Sequence, residues 1–295
     1  MVVETGTKFT FRIEVTIRDN DEEEKMKQIV DIILNGINSG EILIGLKQNR
    51  GYGKAKITLV KYKEFKKENI SDLLSFKKYE KNNYNDYTIN NSFKESKYDF
   101  LEFNLEQIGG ISIRKYSAEK GDVDFEHIKS NGCPIIPGTS WAGLIRKSVK
   151  DYINELNIKD LDLSNWFGVE KSKNSNGQAS NIIFEESTIK DGKEILLTRN
   201  KIDRFYGGAS NRALFSEKAI YNGKTTLRIK IKKTPDNRKI ISVICLAIKD
   251  LDNGLIALGG QTSIGRGIFK LTNNENICKF NNQEKTIDSL IGGDF

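Results

Sequence analysis

The sequence predicts an α+β fold assembled from a repeated strand, helix, glycine-turn, strand unit, and three observations carry that prediction. Gly40, Gly45, Gly51 and Gly53 stand 214 positions before Gly254, Gly259, Gly265 and Gly267. At the same offset residues 11–18 (FRIEVTIR) lie opposite residues 225–232 (TTLRIKIK), each alternating apolar and polar side chains with the period of a half-buried strand. Between strand and turn, residues 26–37 and 243–251 carry apolar residues at helical spacing and end at glycine stops. A match at one offset across strand, helix and turn marks repetition of a whole structural unit.

Taken in order, residues 1–60 read as the C-terminal half of such a unit, because the second copy is preceded by a long motif-bearing stretch and the first is not. The missing front half is expected on another polypeptide, or the chain is a processed or truncated piece, or the unit is a permuted remnant; unless a front half from outside residues 1–295 lies against it, the first strand would expose an unpaired edge. Residues 61–98 shift to Lys, Asn, Tyr, Ser and Glu, with one short apolar run, ISDLLSF, and read as a linker or exposed insertion. Their interleaved lysines and aromatics would also suit a single RNA strand.

The complete unit spans residues 99–275. Leu101, Phe103 and Leu105 alternate in a strand broken by Gly109-Gly110. A polar, acidic segment, 117–131, leads to CPIIPGTSWAGLI, where Pro134 and Pro137 hold the approach extended. Gly138, Thr139 and Ser140 offer cap chemistry to a helix through Trp141, Leu144, Ile145, Val149 and Ile153. The free N–H groups at such a helix start suit phosphate. After a glycine- and serine-containing loop near 171–180 and a short strand at 182–184 comes TRNKIDRFYGGASNRALFSEKAI (198–220). Its arginines, glycines and aromatics suggest a projecting loop or hairpin. Strand, helix, glycine turn and strand complete the unit, and residues 276–295 read as a polar tail.

Composition narrows the function. The 295 residues are 37% hydrophobic and 29% charged, with a net charge of +7. Residues 201–240 hold 11 Lys and Arg against 3 Asp and Glu, a local field that favours polyanions, with a solvated basic face as the plainer explanation. Three scattered cysteines and the single His127 support neither a disulfide framework nor a zinc cluster. A nucleophilic triad could use only His127, and nothing near it resembles a nucleophile elbow. No apolar run approaches membrane-spanning length and no signal peptide is evident, so a cytoplasmic protein without a membrane partner is expected.

Three motifs in order, residues 135–146 (IIPGTSWAGLIR), residues 198–220 and ALGGQTSIGRGIFKL (257–271), resemble the RAMP superfamily, the RNA-binding proteins of CRISPR–Cas systems, and most closely the backbone subunits of type III effectors. The resemblance covers residues 99–272 completely and 7–60 as a C-terminal half. It implies a ferredoxin-like or RRM-like core with insertions, whose glycine turn and helix start hold a guide RNA's phosphate backbone. Sequence reading is then left to base pairing. It also implies a projecting thumb, which falls around residues 204–217.

On that resemblance the phosphate candidates are Arg50 and Lys54 in the first turn, Ser263 and Arg266 in the second, Ser140 and Arg146 at the helix start, and Arg199, Arg204 and Arg212 in the thumb. Catalytic members of the family cleave target RNA with an aspartate and a divalent metal. Asp124 matches that aspartate, with Asp122 and Glu126 close enough to contest it, and Mg²⁺ or another divalent cation is the implied cofactor. Where the family commonly has a leucine-lysine pair this chain has Trp141-Ala142, so a backbone-contacting lysine is missing; Trp141 itself reads as core. His127, beside an isoleucine in an extended segment, reads as a strand residue rather than a catalyst.

The implied protein is a guide-RNA-binding endonuclease subunit of an antiviral ribonucleoprotein. Its partners would be guide RNA, target RNA and other effector subunits, one of which supplies the missing front half. The alternatives are a non-catalytic backbone subunit, a guide-RNA-processing endonuclease, and a binding protein with no nucleic-acid ligand.

Overall fold

The structure, a computed structural model, describes residues 3, 5–18, 23–45, 48, 52–76, 84–90, 96–117, 123–158, 161–170, 176–272 and 276–292. The chain divides into one unit of Thr10–Leu46 with Gly53–Ser96 and another of Met1–Phe9, Lys47–Tyr52 and Lys97–Phe295.

In the first of these, helix α1 (Glu23–Ser39) opens on Glu23 and Glu24, whose charges suit the positive end of the helix dipole. It stops at Gly40, which takes a positive φ of 70°. The Gly40 amide donates to the Ile37 carbonyl (3.1 Å) and the Glu41 amide to that of Gly36 (2.8 Å), the paired bonds of a Schellman stop. Residues 61–98, read as a linker or insertion, contain paired strands β1 (Lys61–Tyr62) and β2 (Asn85–Asp86) with a short helix α2 (Ile70–Leu74) between them. They are pinned to α1: the buried Asp31 carboxylate accepts from the Tyr87 hydroxyl (2.9 Å) and the Asn90 amide (3.2 Å). Asn35 donates to the Asn90 carbonyl at 2.7 Å.

Residues 11–18 keep the alternation expected of a strand but make no ladder among the described residues. Phe11, Ile13, Val15 and Ile17 are 54%, 42%, 46% and 38% exposed. An alternating segment becomes a strand by pairing, and no described strand pairs with this one.

The second unit has strand β3 (Tyr98–Ile108) at its centre, ending at Gly109 (φ 73°), after which β4 (Gly110–Ile111) changes direction. Then follow β5 (Arg114–Tyr116), β6 (Phe125–His127), β7 (Lys129–Ser130), β8 (Cys133–Ile136), helix α3 (Gly138–Glu155), helix α4 (Leu163–Phe167), β9 (Ile182–Phe184) and β10 (Ser187–Thr188). The long strands β11 (Lys193–Ile202) and β12 (Ala209–Tyr221), β13 (Lys224–Lys232), helix α5 (Asn237–Asp252) and β14 (Ile268–Leu271) complete the repeat.

Antiparallel β13 runs beside β3 from Tyr98↔Lys232 to Glu106↔Lys224, with β9 outside it, and β14 pairs with the far end of β3. The spatial order β14-β3-β13-β9, with α3 and α5 between strands in sequence, is the ferredoxin-like β-α-β-β-α-β arrangement. Leu101, Phe103 and Leu105 meet Leu227, Ile229 and Ile231 in one core with Trp141, Ile145 and Val149 of α3 and Ile240, Ile244 and Ile248 of α5. Each such side chain contributes on the order of 1.5–3 kcal/mol by leaving water.

Two expectations are corrected. Thr139 and Ser140 do not cap α3: the N-cap is Pro137, without a side-chain hydrogen bond, and both residues lie inside the first turn. Residues 276–292 are not a tail but strands β15 (Ile277–Phe280) and β16 (Gln283–Thr286) and helix α6 (Ile287–Gly292). β15 extends the central sheet on β3, α6 packs on α5, and Cys278, Ile287 and Leu290 are buried. Their apolar residues are few, but Cys278, Phe280, Ile287 and Leu290 join the core and Ile291 packs against it.

The repeat holds at the level of single hydrogen bonds. Helices α1 and α5 start 214 residues apart, and the bonds from Gly254 to Leu251 (3.1 Å) and from Leu255 to Asp250 (2.8 Å) reproduce those at Gly40 and Glu41. The Ile44 amide donates to the Gly53 carbonyl (2.9 Å) as the Leu258 amide does to Gly267 (2.8 Å). Gly53 and Gly267 take φ of 89° and 78°. A Cβ on Gly267 would lie 1.9 Å from the Leu258 carbonyl oxygen, whereas one on Gly265 (φ 81°) would meet nothing within 4 Å. Gly265→Ala is therefore expected to cost only the left-handed strain of about 1–2 kcal/mol. Gly267→Ala must also displace backbone and should cost more than about 3 kcal/mol. Denaturant unfolding of the two variants measures the difference; equal losses would refute the close approach.

Candidate nucleic-acid interface

The glycine turn after α5 is built against the β4–β5 segment. Gly260 donates to the Ser112 carbonyl (2.9 Å) and Gly267 to that of Gly110 (2.8 Å), so the Gly109-Gly110 kink and the turn fold onto one another. Gln261 takes a left-handed conformation (φ 61°), and Thr262–Ile264 form one exposed 3₁₀ turn.

The two sides of this turn differ in charge. Ser263, a phosphate candidate, lines a groove of about 830 Å³ against α3 whose walls carry Asp151, Glu155 and Asp250 with a single Lys147. That side repels phosphate. On the other side Arg114 is exposed, its guanidinium 5.0 Å from the Phe125 ring centroid and close to Gly260. Arg199, on β11, donates to the Gln261 side chain at 3.4 Å. Tyr116, 80% exposed, packs beside Phe125 with ring centroids 5.1 Å apart. Cations and aromatic faces around glycine backbone are what a single RNA strand needs for charge neutralisation and base stacking.

Strands β11 and β12 form the hairpin expected from residues 198–220, in register from Lys193↔Tyr221 to Asn200↔Leu214 with an irregularity before Ile202↔Ala209. Its tip is shaped by Asp203, whose carboxylate accepts from the amides of Phe205 (2.7 Å) and Tyr206 (3.1 Å). Arg204 is exposed there beside Phe205 and Tyr206, which are 97% and 91% exposed.

Asp124 stands at the start of β6, which pairs parallel with β12. It is exposed, and one carboxylate oxygen accepts from the Ser216 amide (2.7 Å) and lies 3.4 Å from the Ser216 hydroxyl. Glu126 is occupied by Lys115 at 3.1 Å, and Asp122 lies outside the described residues. Among the described residues no group of three His, Cys, Asp or Glu could hold a metal. Asp124 thus offers one hard oxygen; that suits a cation such as Mg²⁺ that takes one or two carboxylates and completes its shell with phosphate and water.

The other candidates fall apart from this cluster. Arg266 is not a surface residue: its side chain is 3% exposed and its guanidinium lies 2.5 Å from the buried Glu217 carboxylate. Arg146 is exposed on α3 with no ion pair among the described residues, and Ser140 is half-buried in the first turn of the same helix. Lys54 is exposed in the other unit. Arg50 lies outside the described residues, as does the side chain of Arg212 on β12. Sequence reasoning missed Arg114 and Glu217; neither has a spacing signal, because the strands that bring them to the turn are distant in the chain.

His127 is buried, its Nε2 2.9 Å from the Ile135 carbonyl oxygen and its Nδ1 accepting from the Ile113 amide (3.2 Å). It ties the segment between β4 and β5 to β6 and β8, and burial holds its pKa below the ordinary 6.5. Trp141 is likewise core, its indole N–H donating to the Ser187 hydroxyl at 2.8 Å.

Residues 108–270 match a family model described as the RAMP superfamily. No curated protein matches the chain.

The depressed histidine makes stability pH-dependent. The unfolded chain takes up the His127 proton as pH falls through about 6.5, while the folded protein resists until a lower pH, so stability falls as pH drops below about 6.5. The denaturation midpoint should decline more steeply from pH 7 to pH 5 in the wild type than in His127→Gln; parallel declines would assign the pH dependence elsewhere.

Proposed function

This chain belongs to the RAMP superfamily of CRISPR-associated RNA-binding proteins, and we propose that it is a backbone subunit of a type III effector, acting in the cytoplasm and holding guide RNA. The observation that carries this reading is the meeting of glycine turn, Arg114, Arg199 and exposed aromatics on one side of the second unit. Glycines allow the main chain close to phosphate, the arginines neutralise it, and no base edge need be read. The exposed tip at Arg204, Phe205 and Tyr206 is the thumb that would enter a guide–target duplex.

Target cleavage is the finer part of the proposal. Asp124 is the residue that would hold Mg²⁺ or another divalent cation at a scissile phosphate, and Ser216 fixes its carboxylate. The cation would supply stabilisation of the charge that develops as an RNA 2′-hydroxyl attacks. A non-cleaving backbone role is the second reading, favoured because no group of three His, Cys, Asp or Glu gathers at Asp124 among the described residues. The buried, hydrogen-bonded His127 speaks against a processing endonuclease that uses it as acid or base. In the assembled complex, Asp124→Asn should abolish metal-dependent cutting of guide-matched RNA and leave guide binding within a factor of a few. Cleavage at the wild-type rate would make the subunit structural.

We further infer that another effector subunit completes the first copy. In the second unit β3 lies between β13 and β14, and α5 buries Ile240, Ile241, Val243 and Ile244. In the first copy the counterparts of β13 are exposed along residues 11–18, and α1 leaves Ile29 and Ile32 47% and 48% exposed. A strand and helix from outside residues 1–295 would cover both. Amides 11–18 should then exchange rapidly in the isolated chain and be protected in the assembled complex; rapid exchange in both would remove this partner.

A further inference from the structure

Strand β12 turns alternate residues inward, and at the place beside Ala219 where an apolar side chain is expected it carries Glu217, whose side chain is 1% exposed. The residue it meets, Arg266, sits between Gly265 and Gly267, both at positive φ, so the turn throws the arginine into the interior. The two lie 2.5 Å apart. Charge rather than directional hydrogen bonding joins them: neither Glu217 oxygen nor either terminal nitrogen of Arg266 has a well-aligned hydrogen-bond partner. The same carboxylate lies 3.9 Å from Arg199, which remains 31% exposed and reaches Gln261 in the turn.

A buried ion pair with unsatisfied polar atoms is a poor stabiliser, since desolvation offsets most of its attraction. It does specify geometry. Here it connects the hairpin strand to the tip of the glycine turn, two elements separated by some fifty residues of chain.

We propose that Glu217 is a positioning residue of the RNA grip, holding Arg266 as an internal strut so that the glycine turn stays in register with the hairpin and Arg199 is left facing phosphate. This rests on the RNA-binding reading above. One carboxylate serves two arginines, so the site keeps one surplus positive charge, and exposure puts that charge on Arg199.

The test is the double variant E217Q/R266Q of the full chain, which removes both charges together and strands neither, compared with wild type and R199Q. Thermal melting, amide exchange at Leu258 and Gly267, and affinity for a uridine homopolymer across 50–200 mM salt are measured. The double variant is expected to melt near the wild type but to exchange faster at both amides. It should also bind on the order of tenfold more weakly with an unchanged salt slope, while R199Q lowers the slope by about 0.7. Wild-type affinity in the double variant would make the pair merely structural. A slope lowered as in R199Q would make Arg266 a phosphate ligand, and unchanged exchange would remove the strut; each overturns the proposal. If the wild type binds no RNA, the RNA reading falls by itself and the exchange result alone decides whether Glu217 positions the turn.

Discussion

The carbonyl oxygen of Leu258 lies where a side chain at Gly267 would begin, and the turn around Arg266 closes because nothing is there. Much of the second unit follows from that contact. It sets the end of α5 against the start of β14, brings Gly260 onto Ser112, and turns Arg266 inward toward Glu217. The same closure leaves Gln261 to Ile264 projecting, with an acidic groove on one side and Arg114 and Arg199 on the other. Charge is therefore unevenly placed around the turn, acidic in the groove and basic at Arg114 and Arg199.

The first copy shows the same closure made with Ile44 and Gly53. The helix stop and this closing bond recur there, yet its surface differs, because Phe11, Ile13, Val15 and Ile17, opposite the paired strand β13, are exposed. Local backbone chemistry forms the helix, its stop and the Ile44–Gly53 closing bond without a central strand. The sheet requires a central strand, which in the second unit is β3.

Much of this was legible in the sequence because glycine at positive φ and period-two alternation leave marks in single residues and short spacings. The paired turns and the Gly109 kink are readable in that way, Trp141 from helical spacing, and residues 198–220 as a projecting loop or hairpin from their composition. What was not readable depends on partners distant in the chain. Arg266 resembles any surface arginine until β12 supplies Glu217, and Arg114 gains meaning from a turn nearly 150 residues later. Residues 276–292 read as polar because their few apolar side chains find their core on β3 and α5. Ser140 offered a capping hydroxyl, but the helix starts two residues earlier at Gly138, with Pro137 as the N-cap, where the fixed φ of proline makes the entry.

As proposed, this protein grips an RNA backbone and leaves sequence to base pairing. Titrating the full chain with single-stranded RNAs of equal length and unrelated sequence, over a range of salt, tests it most directly. Affinities that agree within a few-fold and fall steeply as salt rises are expected. Binding that discriminates among the sequences by a hundredfold, or that is negligible at moderate salt, would contradict it.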